Sequence, residues 1–144
     1  MGTIDRQQRF SLAQAITATA VSTDHMNLRA VRDLFVGSTL WLINLVTVAF
    51  TDAGSDSTVT VTMESDDAAA FPSATVVQSF GTFAALAAIG ARLQVPIAPF
   101  LVDEQFIRLR YTVANGNLTT GSITSWITDS PDLYTQYPDN KIIG

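Results

Sequence analysis

Residues 106–128 read FIRLRYTVANGNLTTGSITSWIT, and the pattern within them decides the fold. Ile107, Leu109, Tyr111 and Val113 alternate with Arg108, Arg110 and Thr112. A repeat of two puts the first set on one side of an extended chain and the second set on the other, as in a half-buried β-strand. Asn115-Gly116 follows, the pair that most readily takes positive φ in a tight turn. Alternation resumes from Ser122 to Thr128, with Ile123 and Ile127 on one face and Thr124 and Trp126 on the other. The stretch therefore predicts strand, turn, strand: a β-hairpin in a small β protein.

Composition agrees. A chain of 144 residues suits one domain with a single core. It is 47% hydrophobic and 15% charged with a net charge of −5, which argues against disorder. Low charge with abundant Thr, Val and Ala suits sheet better than a helical bundle, and points to apolar surface covered by a partner. There is no Cys, which excludes a disulfide framework and thiolate chemistry. The opening MGTIDRQQRF lacks the apolar segment of a signal peptide, and Arg6 stands where a myristoylation signal needs Ser or Thr. Leu34 to Phe50 is uncharged, but Gly37, Ser38, Thr39, Asn44 and Thr47 interrupt it. It falls short of the ~20 apolar residues of a membrane span and reads as one long buried strand or a strand pair.

The same two-residue period recurs outward from the opening stretch. Thr58–Glu64 predicts a strand with Val59, Val61 and Met63 inward and Thr58, Thr60, Thr62 and Glu64 outward. Ala13–Ser22, Leu40–Phe50, Thr75–Phe80 and Arg92–Ile97 also read as strands, the last with Pro96 marking an edge or a strand end. Asp24–Asp33 reads as one irregular or helical turn, and the Ala-rich Gly81–Gly90 fits helix and strand equally. Thr51–Ser57, Ser65–Ser73 and Pro99–Gln105 read as connections. About seven to nine short strands at near-regular spacing predict an all-β fold, an antiparallel β-sandwich or jelly roll with extended N- and C-terminal arms. The expected division is an N-terminal arm over 1–12, a jelly-roll domain over 13–129 and a C-terminal tail over 130–144.

Reactive groups are sparse. Lys141 is the single lysine, with no Gly-rich run before it, so a phosphate-cradling loop is absent. His25 is the single histidine; a triad with Asp24 and a serine is opposed by neighbouring side chains that point apart, and there is no GxSxG elbow. Acids gather at Asp52 and Asp56, at Glu64, Asp66 and Asp67, and at Asp103 and Glu104. They read as solvated loop acids, since none has the spacing of a calcium loop and no signal selects a glycosidase pair. Arg108 and Arg110, with Arg92 in reach, suggest single-stranded nucleic acid only until the acidic balance and the eight scattered basic residues are counted. They read better as interface arginines. Trp41 and Trp126 are the sugar-stacking candidates of a carbohydrate-binding module, but both sit in strands and read as core. Tyr134, Tyr137 and Pro138 offer rigid amphipathic contact area in the tail, and Phe10 does so in the arm.

Read over its length, the chain resembles the small capsid cement, or decoration, proteins of tailed bacteriophages. The resemblance lies in SLAQAITATAVST, STVTVTMESDD, FPSATVVQSFGTF, LRYTVANGNLTTGSITSWI and the closing TQYPDN, in that order and spacing. It implies a β jelly roll on the outer surface of the icosahedral head that binds major capsid proteins together, with no catalytic residue, cofactor or metal. The polar N-terminal arm is longer here than the resemblance implies. The expectations are a non-enzymatic virion protein whose partners are the phage major capsid protein and itself, as a homodimer with a trimer as runner-up. Direct contact with nucleic acid or membrane is not expected. The contact residues expected are Phe10, Arg108, Arg110, Tyr134, Tyr137 and Pro138. The alternative is a carbohydrate-binding jelly-roll module of a virion or tail fibre.

Overall fold

The computed structural model describes residues 9–28, 40–97 and 104–128. Nine strands run through them: β1 (Arg9–Ala15), β2 (Ala20–Val21), β3 (Met26–Asn27), β4 (Trp41–Thr51), β5 (Thr58–Asp66), β6 (Thr75–Phe83), β7 (Arg92–Pro96), β8 (Phe106–Ala114) and β9 (Thr120–Thr128). They form two antiparallel sheets, β1-β9-β4-β7 and β2-β8-β5-β6, with β3 also on β8. Ala20 and Val21 face Tyr111 and Arg110, and Met26 and Asn27 face Ile107 and Phe106. β2 and β3 thus act as one interrupted strand. The pairs β1/β9, β2–β3/β8, β4/β7 and β5/β6 are then nested one inside the next. A ribbon of nested pairs wound on itself, and closed by the β4/β9 and β5/β8 ladders, is a jelly roll.

The two inner faces make one core. Val59, Val61 and Met63 of β5 and Ile107, Leu109 and Tyr111 of β8 meet Leu42, Val46, Ile123 and Ile127 of the other sheet. Their alternation is the one read from the sequence. β7 is an edge strand, as Pro96 indicated, because proline has no N–H to give a further neighbour. The edge strand of the other sheet, β6, slips register against β5 twice, and such bulges blunt an edge that would otherwise pair with a foreign strand.

Several expectations are corrected. β8 and β9 are not a hairpin: they lie in opposite sheets, and residues 115–119 cross between them. Asn115 and Gly116 do take positive φ, 65° and 103°. However, β9 resumes only at Thr120, and Leu118 turns into the core in between, so the strands part instead of pairing. Ala13–Ser22 is not one strand. β1 opens at Arg9, inside the segment read as an arm, and irregularities at Ser11–Gln14 bend it, with Ala13 at φ 46°. β6 runs on to Phe83, which takes up the start of the ambiguous Ala-rich segment, and turns follow it.

One loop is held by a single carboxylate. Ser57, Asp56 and Gly54 donate backbone N–H bonds to Asp52 at 2.6, 2.9 and 2.6 Å, tying the turn from β4 to β5. The bonds from Ser57 come first among the causes that hold this carboxyl well below its ordinary range. A carboxyl depressed in the folded state contributes stability above the unfolded pKa of about 3.9, and loses it as pH falls from there. Asp52→Ala is therefore expected to melt below wild type at pH 7, with the difference shrinking at pH 3. Equal melting temperatures at pH 7 would refute the assignment.

Candidate functional site

Among the described residues, the functional groups of the first sheet lie mostly on its inner side. Its inner side carries a buried polar chain: Gln14 Oε1, Ser11 Oγ, Tyr111 Oη, Ser125 Oγ and Asn44 lie in succession at 2.7, 2.7, 2.8 and 2.6 Å. Each hydroxyl has one proton, and Gln14 Oε1 already accepts the Thr23 N–H, so the Gln14 end must be an acceptor. Ser11 then donates to Gln14, Tyr111 to Ser11 and Ser125 to Tyr111. Ser125 has no proton left, so Asn44 must turn its amide nitrogen toward it; the two amide atoms are told apart only by such a network. The outer Asn44 atom, without a partner, is then a carbonyl oxygen, which is cheaper to leave bare than an amide N–H. Burial pushes the Tyr111 hydroxyl up to about 12, so it keeps its proton and stays a neutral link across the core.

The charged site lies on the outer face of the second sheet. Parity along β8 places Phe106, Arg108, Arg110 and Thr112 there, opposite the buried Ile107, Leu109 and Tyr111. Glu64 stands directly across from Arg108 in the β5/β8 ladder, and Arg110 is one step along the same face. Arg108 Nε donates to Glu64 Oε1 at 2.9 Å and Arg110 Nε to Oε2 at 2.8 Å. Burial alone would raise the Glu64 carboxyl. The bonds and charges of Arg110 and Arg108 outweigh it and hold the group below its ordinary value.

Phe71 floors this array. The Arg108 guanidinium lies 4.3 Å from its ring centroid, a cation–π contact. His25 meets Phe71 and Phe106 edge-on, at 5.9 and 5.7 Å between ring centroids. Phe71 sits at φ 52°, which a bulky side chain adopts only where its surroundings over-determine it. Arg108 on one side and His25 on another supply that constraint. His25 therefore serves as packing, and no serine hydroxyl is bonded to it among the described residues.

Beside the array, Asp66, Asp67 and Glu104 bring one carboxylate oxygen each within 4.8 Å of one another. Asp66 accepts the Ser73 and Ala68 N–H groups at 2.6 and 3.1 Å, and Glu104 accepts the Ser65 and Thr75 hydroxyls at 2.8 and 3.1 Å. Burial raises Asp66, but the Ser73 and Ala68 bonds win and lower it. Its hydrogen bond and charge push Asp67 up. Both Asp66 oxygens and Glu104 Oε1 hold neighbouring backbone and hydroxyl groups, and three carboxylates alone fall short of the six to eight ligands calcium takes, so the trio reads as a loop anchor.

Of the six contact residues expected from sequence, Arg108 and Arg110 come together on this face. Phe10 does not join them: it is fully buried in the core, because β1 draws it between the sheets. Tyr134, Tyr137 and Pro138 lie outside the described residues. Glu64, expected outward in solvent, does point outward, but its side chain is only 7% exposed. Phe71 falls within Ser65–Ser73, a segment whose sequence reads only as a connection. The signal for Glu64 was its outward parity on β5, readable as a partner only once β5 is known to lie beside β8. Trp126 is buried and offers no open ring face to a sugar.

No curated protein matches this chain. The Bbp16 family matches residues 10–127, from the first strand to the last, and its name is associated with bacteriophages. Family and sandwich thus coincide along the chain, which belongs to the Bbp16 family of bacteriophage-associated proteins.

Proposed function

We propose that this protein is a structural, non-enzymatic component of the virion: a cement protein that sits on the outer surface of the phage head and holds neighbouring major capsid proteins together. The observation that carries the reading is the phage-associated family match across the whole sandwich. The resemblance to capsid decoration proteins points the same way. A cement protein has to resist outward pressure from packaged DNA. That calls for a stiff scaffold with contact surface, which two sheets locked by a cross-core polar chain supply. Many copies on a symmetric shell convert modest contacts into high avidity, with about 800 Å² buried per partner at a standard contact. Self-association as a homodimer belongs to the same reading.

Co-sedimentation of the purified protein with expanded empty heads of its own phage is the test. Saturable binding at micromolar concentration is expected, and none at that concentration would overturn the reading. Light scattering on the free protein is expected to give the mass of a dimer.

A further inference from the structure

Glu64 carries one negative charge and meets two guanidinium groups, so within this trio one positive charge is left over among the described residues. The two arginines differ in access. Arg108 is covered, with 16% of its side chain exposed and its guanidinium over Phe71. Arg110 is open, at 35%. Its register partners, Val21 and Thr62, bring no acid. Arg110 spends its Nε on Glu64, and neither Nη has a hydrogen-bond partner among the described residues. Anchoring through Nε leaves the end-on fork of both Nη groups free, the geometry that grips a carboxylate with two parallel bonds.

We propose that Arg110 is a docking point for a carboxylate side chain of the capsid subunit, with Glu64 and Arg108 as positioning residues; this rests on the cement reading. The surroundings favour a single carboxylate over a polyanion. Around Arg110 the face carries hydroxyls, Thr60, Thr62 and Thr112, and an apolar side chain, Val76, which stands across from Glu64 and is 60% exposed. A nucleic acid needs a run of cations to follow its phosphates, and among the described residues of this face Arg110 is the one open cation. An arginine already held by Glu64 also loses less rotamer freedom on binding than a free one. Hydroxyls and one apolar neighbour around an oriented arginine match the make-up of a protein contact with an arginine hot spot.

Shell co-sedimentation of wild type, Arg110→Ala and Arg110→Lys tests this, with thermal melts to confirm folding. Arg110→Ala is expected to weaken shell affinity by about 10- to 100-fold, with a shallower dependence on salt. Arg110→Lys keeps the charge that Glu64 needs but not the fork, and is expected to recover only part of the affinity. Polyglutamate is expected to compete with shells better than short duplex DNA. Wild-type binding with unchanged affinity in folded Arg110→Ala or Arg110→Lys would overturn the proposal, as would competition by DNA and not by polyglutamate. Failure of wild type itself to bind would instead remove the cement reading.

Discussion

Phe10→Ala is expected to lower the free energy of unfolding by about 3–5 kcal/mol, the range for truncating a fully buried aromatic. Phe10 is fully buried in the core cluster, and its carbonyl accepts the Asp24 N–H at 2.9 Å, so side chain and backbone both tie β1 to the sandwich. The removed ring leaves a cavity between the two sheets, whose spacing the surrounding ladders hold. Urea denaturation followed by circular dichroism measures it. Phe10→Leu, which refills part of the volume, is expected to cost about half as much. The alternative is that Phe10 acts as a shell contact. Stability would then be unchanged in Phe10→Ala while shell binding fell, and that outcome would refute the placement of β1.

Glu64→Ala is expected to cost about 2–4 kcal/mol. Removing one partner of a buried ion pair costs about 3–5 kcal/mol because the other charge is stranded. Here Arg110 is a third exposed and water screens part of that penalty, which sets the lower figure. Glu64→Gln is not a benign control. One of its two ends becomes an amide N–H₂, and each end faces an arginine Nε that is itself a donor. Gln is therefore expected to lose close to as much as Ala. Combining Glu64→Ala with Arg108→Ala is expected to cost less than the sum of the two, since the stranded cation goes with its partner. The Glu64 carboxyl is depressed, so its contribution is present above its ordinary pKa and fades as pH falls through the folded value. A cost below about 0.5 kcal/mol at pH 7, typical of an exposed pair, would mean that the site is solvent-screened and that the arginines are not held in place.

The division between what could be read from the chain and what could not runs through particular residues. Alternation placed Val59, Val61, Met63, Ile107, Leu109 and Tyr111 in the core, and put Arg108 and Arg110 together on the opposite face. Proline chemistry marked β7 as an edge. Positive φ at Asn115 and Gly116 was legible too. All of these follow from the local geometry of an extended backbone and from side chains acting at their own position.

Pairing was decided elsewhere. Ladder hydrogen bonds join backbone groups that every non-proline residue carries, so no side chain announces which strand it will lie beside. Hence Asn115-Gly116 proved a corner between sheets, β9 was covered on both faces so that Trp126 and Thr124 are buried along with Ile123, and Phe10 went from arm to core. The Glu64–Arg108–Arg110 array likewise exists only because β5 and β8, more than forty residues apart in sequence, share a register. By itself the sequence determined an all-β chain with its inner faces and its candidate arginines. The tertiary structure alone decided which strands met, and with them which charges were buried, because that choice rests on total burial summed over distant segments.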